Sequence, residues 1–149
     1  MVGIQRIVSG GQTGVDRAAL DVALESGISC GGWCPKGRKA EDGKIPDHYP
    51  LEETKSRRYT ERTMLNVRES DGTLVITRGK PTGGTALTLG MARKEVKPIL
   101  VVRPEDDVKD SSDWILREGI QVLNIAGPRE SGDPGIYTTT LSFLRRLLR

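Results

Sequence analysis

The sequence predicts an α/β fold: one domain built on an open, mainly parallel sheet of about five strands, with helices on both faces. Three observations carry this expectation. Short β-branched runs alternate with longer amphipathic segments along the chain, the pattern of repeated strand–helix–strand units joined by right-handed crossovers. The 149 residues suit one domain of roughly 100–200 residues. Glycine makes up 18 of 149 residues, about 12%, against about 7% in an average protein.

The elements follow in order. Residues 4–9 read as a strand. Residues 14–26 follow as a helix with Val15, Ala18, Ala19, Val22 and Ala23 on one stripe, closed by Gly27 in a left-handed cap. Residues 28–33 form a second strand. Residues 34–54 lack a period and hold three prolines, so they read as a loop whose length marks it as functional. Residues 56–69 are helical, 73–77 (Thr-Leu-Val-Ile-Thr) form a strand, and 85–95 form a helix opened by two glycines. Residues 98–102 make the fourth strand. Residues 106–118 make a helix whose positive end Asp106 and Asp107 complement, with Gly119 closing it. Residues 121–125 are the fifth strand and 137–148 the terminal helix.

Twelve glycines fall in four groups of three: 10, 11 and 14; 31, 32 and 37; 79, 83 and 84; 127, 132 and 135. Each group follows the carboxyl end of a strand or sits in its last turn. Gly27, Gly72 and Gly119 instead precede strands, where capping explains them. Carboxyl ends of parallel strands are where open α/β sheets take ligands, so the glycine excess concentrates on a predicted binding edge.

Other classes are excluded by composition. A hydrophobic share of 36% and a charged share of 29% fit neither a disordered tail nor a fibrous repeat. A net charge of +3 is too small for a dedicated nucleic-acid binder. No leader-like stretch and no apolar run of about 20 residues is present, so the expected location is cytoplasmic. Cys30 and Cys34 would lie about 13 Å apart in an extended segment, too far for a disulfide. They lack zinc-knuckle spacing and read as buried structural thiols. His48 is the one histidine, which excludes a histidine metal cluster within a chain. No dedicated metal cage is expected.

The site candidates gather at the glycine loops. Ser9-Gly10-Gly11-Gln12-Thr13-Gly14 joins a strand to a helix, where backbone N–H groups can cradle an anion. It matches neither the Walker A nor the G-x-G-x-x-G pattern, and a tight turn is the plainer reading. Gly83-Gly84-Thr85 opens another helix after the third strand, and two such termini favour the anion. Lys36, Arg38, Lys39 and Lys44 stand in the long loop. A solvated surface loop is the plain reading, and the loop's origin at the same sheet edge favours ligand contact for Lys36 and Arg38. Glu61 and Arg62 are either a surface ion pair or an oxyanion clamp. Asp16 is either a charge at a helix start or a site acid.

The run 8–21, Val-Ser-Gly-Gly-Gln-Thr-Gly-Val-Asp-Arg-Ala-Ala-Leu-Asp, and the run 31–43, Gly-Gly-Trp-Cys-Pro-Lys-Gly-Arg-Lys-Ala-Glu-Asp-Gly, resemble the molybdenum carrier (molybdenum cofactor carrier) family. Tyr59, Arg62, Thr63, Asn66, Ser70-Asp71-Gly72-Thr73 and Gly83-Gly84-Thr85 extend the match over nearly the whole chain. The resemblance implies a single Rossmann-like three-layer domain over residues 1–149, related to the Lonely Guy phosphoribohydrolases and, more distantly, to DNA-processing protein A. It implies a bound molybdenum cofactor (molybdopterin) or molybdate, homo-oligomers, and molybdoenzymes as acceptors of the cofactor.

In the hydrolase relatives a Glu-Arg pair and a Pro-Gly-Gly-x-Gly-Thr-x-x-Glu loop form the active site. Glu61 and Arg62 match the pair, and Gly84 and Thr85 match the loop, but Thr88 stands at the catalytic glutamate position. A hydroxyl cannot replace a carboxylate base, whose help is worth about 10²- to 10⁴-fold in rate. Binding is therefore expected rather than turnover, although Glu61, Asp16 or Asp42 could substitute. The expected carrier site comprises Gly10, Gly11, Gln12, Thr13, Gly14, Arg17, Trp33, Lys36, Arg38, Arg62, Gly83, Gly84 and Thr85, with the pterin near Trp33 and Thr13. The alternatives are a nucleotide phosphoribohydrolase and a nucleotide-sensing or DNA-associated module using Arg145, Arg146 and Arg149. Leu141, Leu144 and Leu148 make that last segment look like a packing helix.

Overall fold

The computed structural model describes residues 2–149. Five strands form the main sheet: β1 (Arg6–Val8), β2 (Ser29–Gly31), β7 (Gly72–Ile76), β8 (Ile99–Val102) and β9 (Val122–Ala126). All pairings are parallel, in the order β2-β1-β9-β7-β8. Five helices flank them: α1 (Val15–Ser26), α2 (Tyr59–Arg68), α3 (Gly83–Lys94), α4 (Lys109–Glu118) and α5 (Ile136–Leu147). This is the α/β fold the alternation of elements predicts.

Right-handed crossovers put α1 and α4, which step the chain toward β2, on one face, and α2 and α3, which step it toward β8, on the other; the terminal helix α5 packs against α1 on the first face. Ala18, Ala19 and Ala23 of α1 are wholly buried, and these small side chains let α1 pack closely against α5. Leu74 and Ile76 of β7 and Leu123 and Ile125 of β9 are wholly buried in the sheet core. Central parallel strands covered on both faces read as continuous apolar runs for this reason. Among the described residues no helix is long and apolar enough to cross a membrane.

Counted from β9, the chain runs β9, β1, β2, β7, β8, and the spatial order becomes 3-2-1-4-5, the common doubly wound arrangement. The central strand, which comes first in that arrangement, is here the last in sequence.

The second strand and the long loop depart from expectation. Extended chain stops at Gly31 and turns at Gly32 (φ 131), where a Cβ would lie 2.3 Å from the Ser9 carbonyl oxygen. The chain then leaves the sheet, and β3 (Trp33–Cys34) pairs with β6 (Glu52–Glu53). Between them β4 (Lys39–Ala40) and β5 (Gly43–Lys44) form a small antiparallel hairpin. Residues 34–54 are therefore a folded excursion, not a bare loop.

Helix starts also shift. α2 begins at Tyr59, and α3 begins at Gly83, taking in both glycines. α4 begins at Lys109, so Asp106 and Asp107 precede it and accept from the Arg103 and Lys109 amides. Gly27 and Gly119 are left-handed caps. Gly72 is not a cap: it is the first residue of β7, where a Cβ would press on Ile120 and Trp114. Cys30 and Cys34 are free thiols, and burial raises the pKa of both.

Candidate functional site

The strand order reverses between β9 and β7, and there the helices diverge to opposite faces and leave a crevice at the carboxyl edge. A cleft of about 660 Å³ lies at this place. The β7–α3 loop and the first turns of α3 supply residues from Thr77 to Thr88, and the segment after β9 supplies Gly127, Pro128, Arg129 and Asp133. Gln12 comes from the β1–α1 turn, Asp16 from the first turn of α1, and Arg62 from α2.

The α3 side is an open helix terminus. Thr82 is extended, so the helix starts at once after it, and the Thr85 and Ala86 amides bond to its carbonyl. The Gly83 and Gly84 amides have no partner among the described residues. A Cβ on either glycine would meet nothing within 4 Å. Helix N-termini attract anions through such amides and the helix dipole. Lys80 adds a cation with no ion pair among the described residues, whereas Arg78 is tied to Glu105 and Asp133. Thr88 is buried in the wall of the cleft and donates to the Gly84 carbonyl.

The α1 side is built differently. The Gly11 amide donates to Ser9 Oγ, the Gln12 amide to Asp16 Oδ2, the Thr13 amide to Gln12 Oε1 and the Val15 amide to the Pro128 carbonyl. This turn thus spends four amides inside the protein and places Gln12 at the cleft, while the Gly10, Gly14, Asp16 and Arg17 amides have no partner among the described residues. Gly10 matters for what passes beside it: a Cβ there would fall 1.7 Å from Arg62 Nη1. Arg62 Nη1 lies 3.3 Å from Asp16 Oδ2, and its guanidinium and that of Arg129 both sit over the Tyr59 ring. Burial pushes the Asp16 carboxyl above its ordinary 3.8, opposed by Arg62 and the Gln12 amide.

Of the expected site residues, the structure brings Gln12, Arg62, Gly83, Gly84 and Thr85 together along this cleft. It does not bring the others there. Gly11 and Gly14 shape the turn; a Cβ on Gly14 would strike Pro128 O at 2.4 Å. Thr13 donates to Glu41 and accepts from the Glu130 amide. Arg17 forms a two-point pair with Asp42. Trp33 donates to Glu69 at a separate, small pocket beside Arg6. Lys36 is exposed, and Arg38 donates to the carbonyls of Ile45, Pro46, Tyr49 and Leu51. Glu61 and Asp42 do not line the cleft, so of the three acids expected to substitute, Asp16 alone stands in it, beside Asp133, which pairs with Arg78.

Sequence reasoning missed Lys80 and Arg129, and it placed Gly127 on the glycine-rich edge without naming it among the site residues. Gly127 had a visible signal as the glycine straight after the fifth strand. The weight of that position depends on β9 being central, which no local pattern reveals. Among the described residues no three His, Cys, Asp or Glu side chains gather to hold a metal.

Comparison with known proteins adds two findings. Residues 7–148 match the model of the circularly permutated YpsA SLOG family. The chain is also similar to the crystal structure of the Putative molybdenum carrier protein from Syntrophus aciditrophicus SB, at 46% identity and a TM-score of 0.95, covering 99% of this chain and 97% of that one. No curated protein matches the chain.

Proposed function

Because the chain belongs to the circularly permutated YpsA SLOG family, we propose that its cleft binds and carries a phosphorylated small molecule, with molybdenum cofactor as the cargo. The observation that carries this reading is the pairing of an open α3 N-terminus with Lys80, Arg62 and Arg129 around one cleft at the switch in strand order. The terminus suits a phosphate. The likeness to a protein described as a molybdenum carrier supports a molybdenum-bearing cargo.

Size favours the complete cofactor over bare molybdate. About 660 Å³ lies inside the range of roughly 300–1,000 Å³ typical of sites for organic ligands. A tetrahedral oxyanion would leave most of that space to water. Thr88 at the wall, in place of a glutamate, favours holding the ligand over cleaving it. Homo-oligomers, hand-over to molybdoenzymes and a cytoplasmic location belong to the same reading.

Protein purified natively from cells that make the cofactor is expected to release a phosphorylated pterin on mass spectrometry. Absence of saturable binding of pterin cofactor, molybdate, tungstate and nucleotides at micromolar concentration would defeat this reading. One observation favours a phosphoribohydrolase instead: Asp16 puts a carboxylate beside Arg62 in the cleft. Release of free base from nucleoside monophosphates, lost in Asp16→Asn, would establish it.

A further inference from the structure

The segment that walls the cleft after β9 is held from outside by the excursion. β4 and β5 pair Lys39 with Lys44 and Ala40 with Gly43, which leaves Glu41 and Asp42 as the hairpin turn. Asp42 fastens this turn to α1 through its two-point pair with Arg17, and the Glu41 amide donates to Gln12 Oε1 at 2.9 Å. The Glu41 side chain reaches further. Its carboxylate accepts from the Thr13 hydroxyl, from the Ser131 hydroxyl and, at 3.2 Å, from the Ser131 amide. The Ser131 and Thr13 hydroxyls hold this carboxyl below its ordinary 4.5, so it is ionised at neutral pH.

Ser131 has no other hydrogen-bond partner among the described residues. It stands in the short turn Glu130–Gly132, next to the wall residues Arg129, Gly132 and Asp133. Arg129 Nη1 is 4.0 Å from Glu41 Oε1, and the Arg129 Cζ lies 5.8 Å from the centre of the Tyr59 ring, which also carries the Arg62 guanidinium at 5.3 Å. Each of these two like charges has a carboxylate beside it, Asp16 for Arg62 and Glu41 for Arg129, which offsets their repulsion. Glu41 does not line the cleft, so its effect on a ligand passes through the wall.

We propose that Glu41 is a positioning residue of the cleft: by holding Ser131 and standing beside the Arg129 guanidinium, it keeps Arg129 next to Arg62 as a pair of cations for the ligand's phosphate. This rests on reading the cleft as a site for an organic phosphate. The excursion of residues 34–54 then serves binding without touching the ligand, because its hairpin turn braces the wall that does.

Calorimetric titration of the whole protein with adenosine 5′-monophosphate and with inorganic pyrophosphate tests the proposal, with melting curves to show that each variant is folded. By charge alone, loss of a carboxylate near the cleft would tighten the binding of an anion, whereas loss of the brace weakens it. Glu41→Ala is therefore expected to weaken binding about tenfold. Ser131→Ala, which removes one exposed hydroxyl and leaves Glu41 in place, should weaken it about threefold. Glu41→Gln keeps an oxygen for the Ser131 amide and the Thr13 hydroxyl and offers an N–H to the Ser131 hydroxyl. It should bind as tightly as the unmodified protein or more tightly. In an Arg129→Ala background, Glu41→Ala should change the affinity by less than about twofold, because the group it positions is gone.

Unchanged or tighter binding by either alanine variant at 41 or 131, a Glu41→Gln protein as weak as Glu41→Ala, or the same loss with and without Arg129 overturns the proposal while leaving an organic-phosphate cleft in place. Failure of the unmodified protein to bind either phosphate probe overturns both.

Discussion

At Gly10 and Gly127 the same chemical change, adding one methyl group, has opposite consequences because of what stands opposite. A Cβ on Gly10 meets the Arg62 guanidinium, 1.7 Å from Nη1 and 2.7 Å from Cζ. That is the far end of a flexible side chain, which can swing away. Gly10→Ala is therefore expected to cost only about 1 kcal/mol of stability, while displacing Arg62 from Asp16 and weakening ligand binding roughly tenfold or more. A Cβ on Gly127 would lie 2.2 Å from the Ile76 carbonyl oxygen and 2.6 Å from Val15 Cγ2. Neither the β7 backbone nor a wholly buried valine can yield. Gly127→Ala should lose about 3 kcal/mol and lower Tm by about 10 °C. Melting curves and ligand titrations on the two variants separate the effects, and a Gly10→Ala protein that binds normally would remove Arg62 from the site. Both glycines stand in the sequence as strand-end glycines. The difference between a movable guanidinium and a rigid carbonyl comes from partners 52 residues away from Gly10 and 51 residues away from Gly127.

Among the elements, the excursion of residues 34–54 shows most clearly how a charge acquires its role from its surroundings. Arg38 lies in the left-handed region (φ 54), and its guanidinium donates to the carbonyls of Ile45, Pro46, Tyr49 and Leu51 at 2.7–3.2 Å. These carbonyls follow β5 and precede β6, in a stretch too short to form a sheet of its own. Arg38→Ala should therefore cost about 2–4 kcal/mol and speed amide exchange across residues 35–51, with protection of α3 and β9 unchanged in hydrogen-exchange mass spectrometry. Equal loss of protection throughout the chain would show that the excursion is part of the global core. A basic loop is visible in the sequence as charge density. Whether each cation meets a ligand or a backbone carbonyl depends on the path of the chain around it, and here Arg38 is enclosed by its own loop while Lys36 is exposed.

For the whole molecule, the order β2-β1-β9-β7-β8 makes the position of the chain ends a matter of covalent connection rather than of packing. β1 and β9 start side by side, with the Gln5 and Arg6 amides both donating to the Gln121 carbonyl. A permuted chain that starts at Ile120, with the present ends joined by a linker of about 6 residues, should fold to the same sheet and bind ligand with unchanged affinity. Circular dichroism and titration check this, and a permutant that fails to fold would mean that β9 cannot be formed first. The sequence by itself determined the alternation of strands and helices, because local periodicity and turn chemistry act over a few residues. It also determined that the glycines cluster after strands, and it held the motifs that carry the family likeness. Only the tertiary structure decided that the last strand lies at the centre, that residues 34–54 fold outside the sheet, and that Gln12 and Arg62 line the same cleft as α3. Those outcomes depend on strand order and on contacts between segments far apart in the chain, and hydrophobic period carries no information about which strand pairs with which.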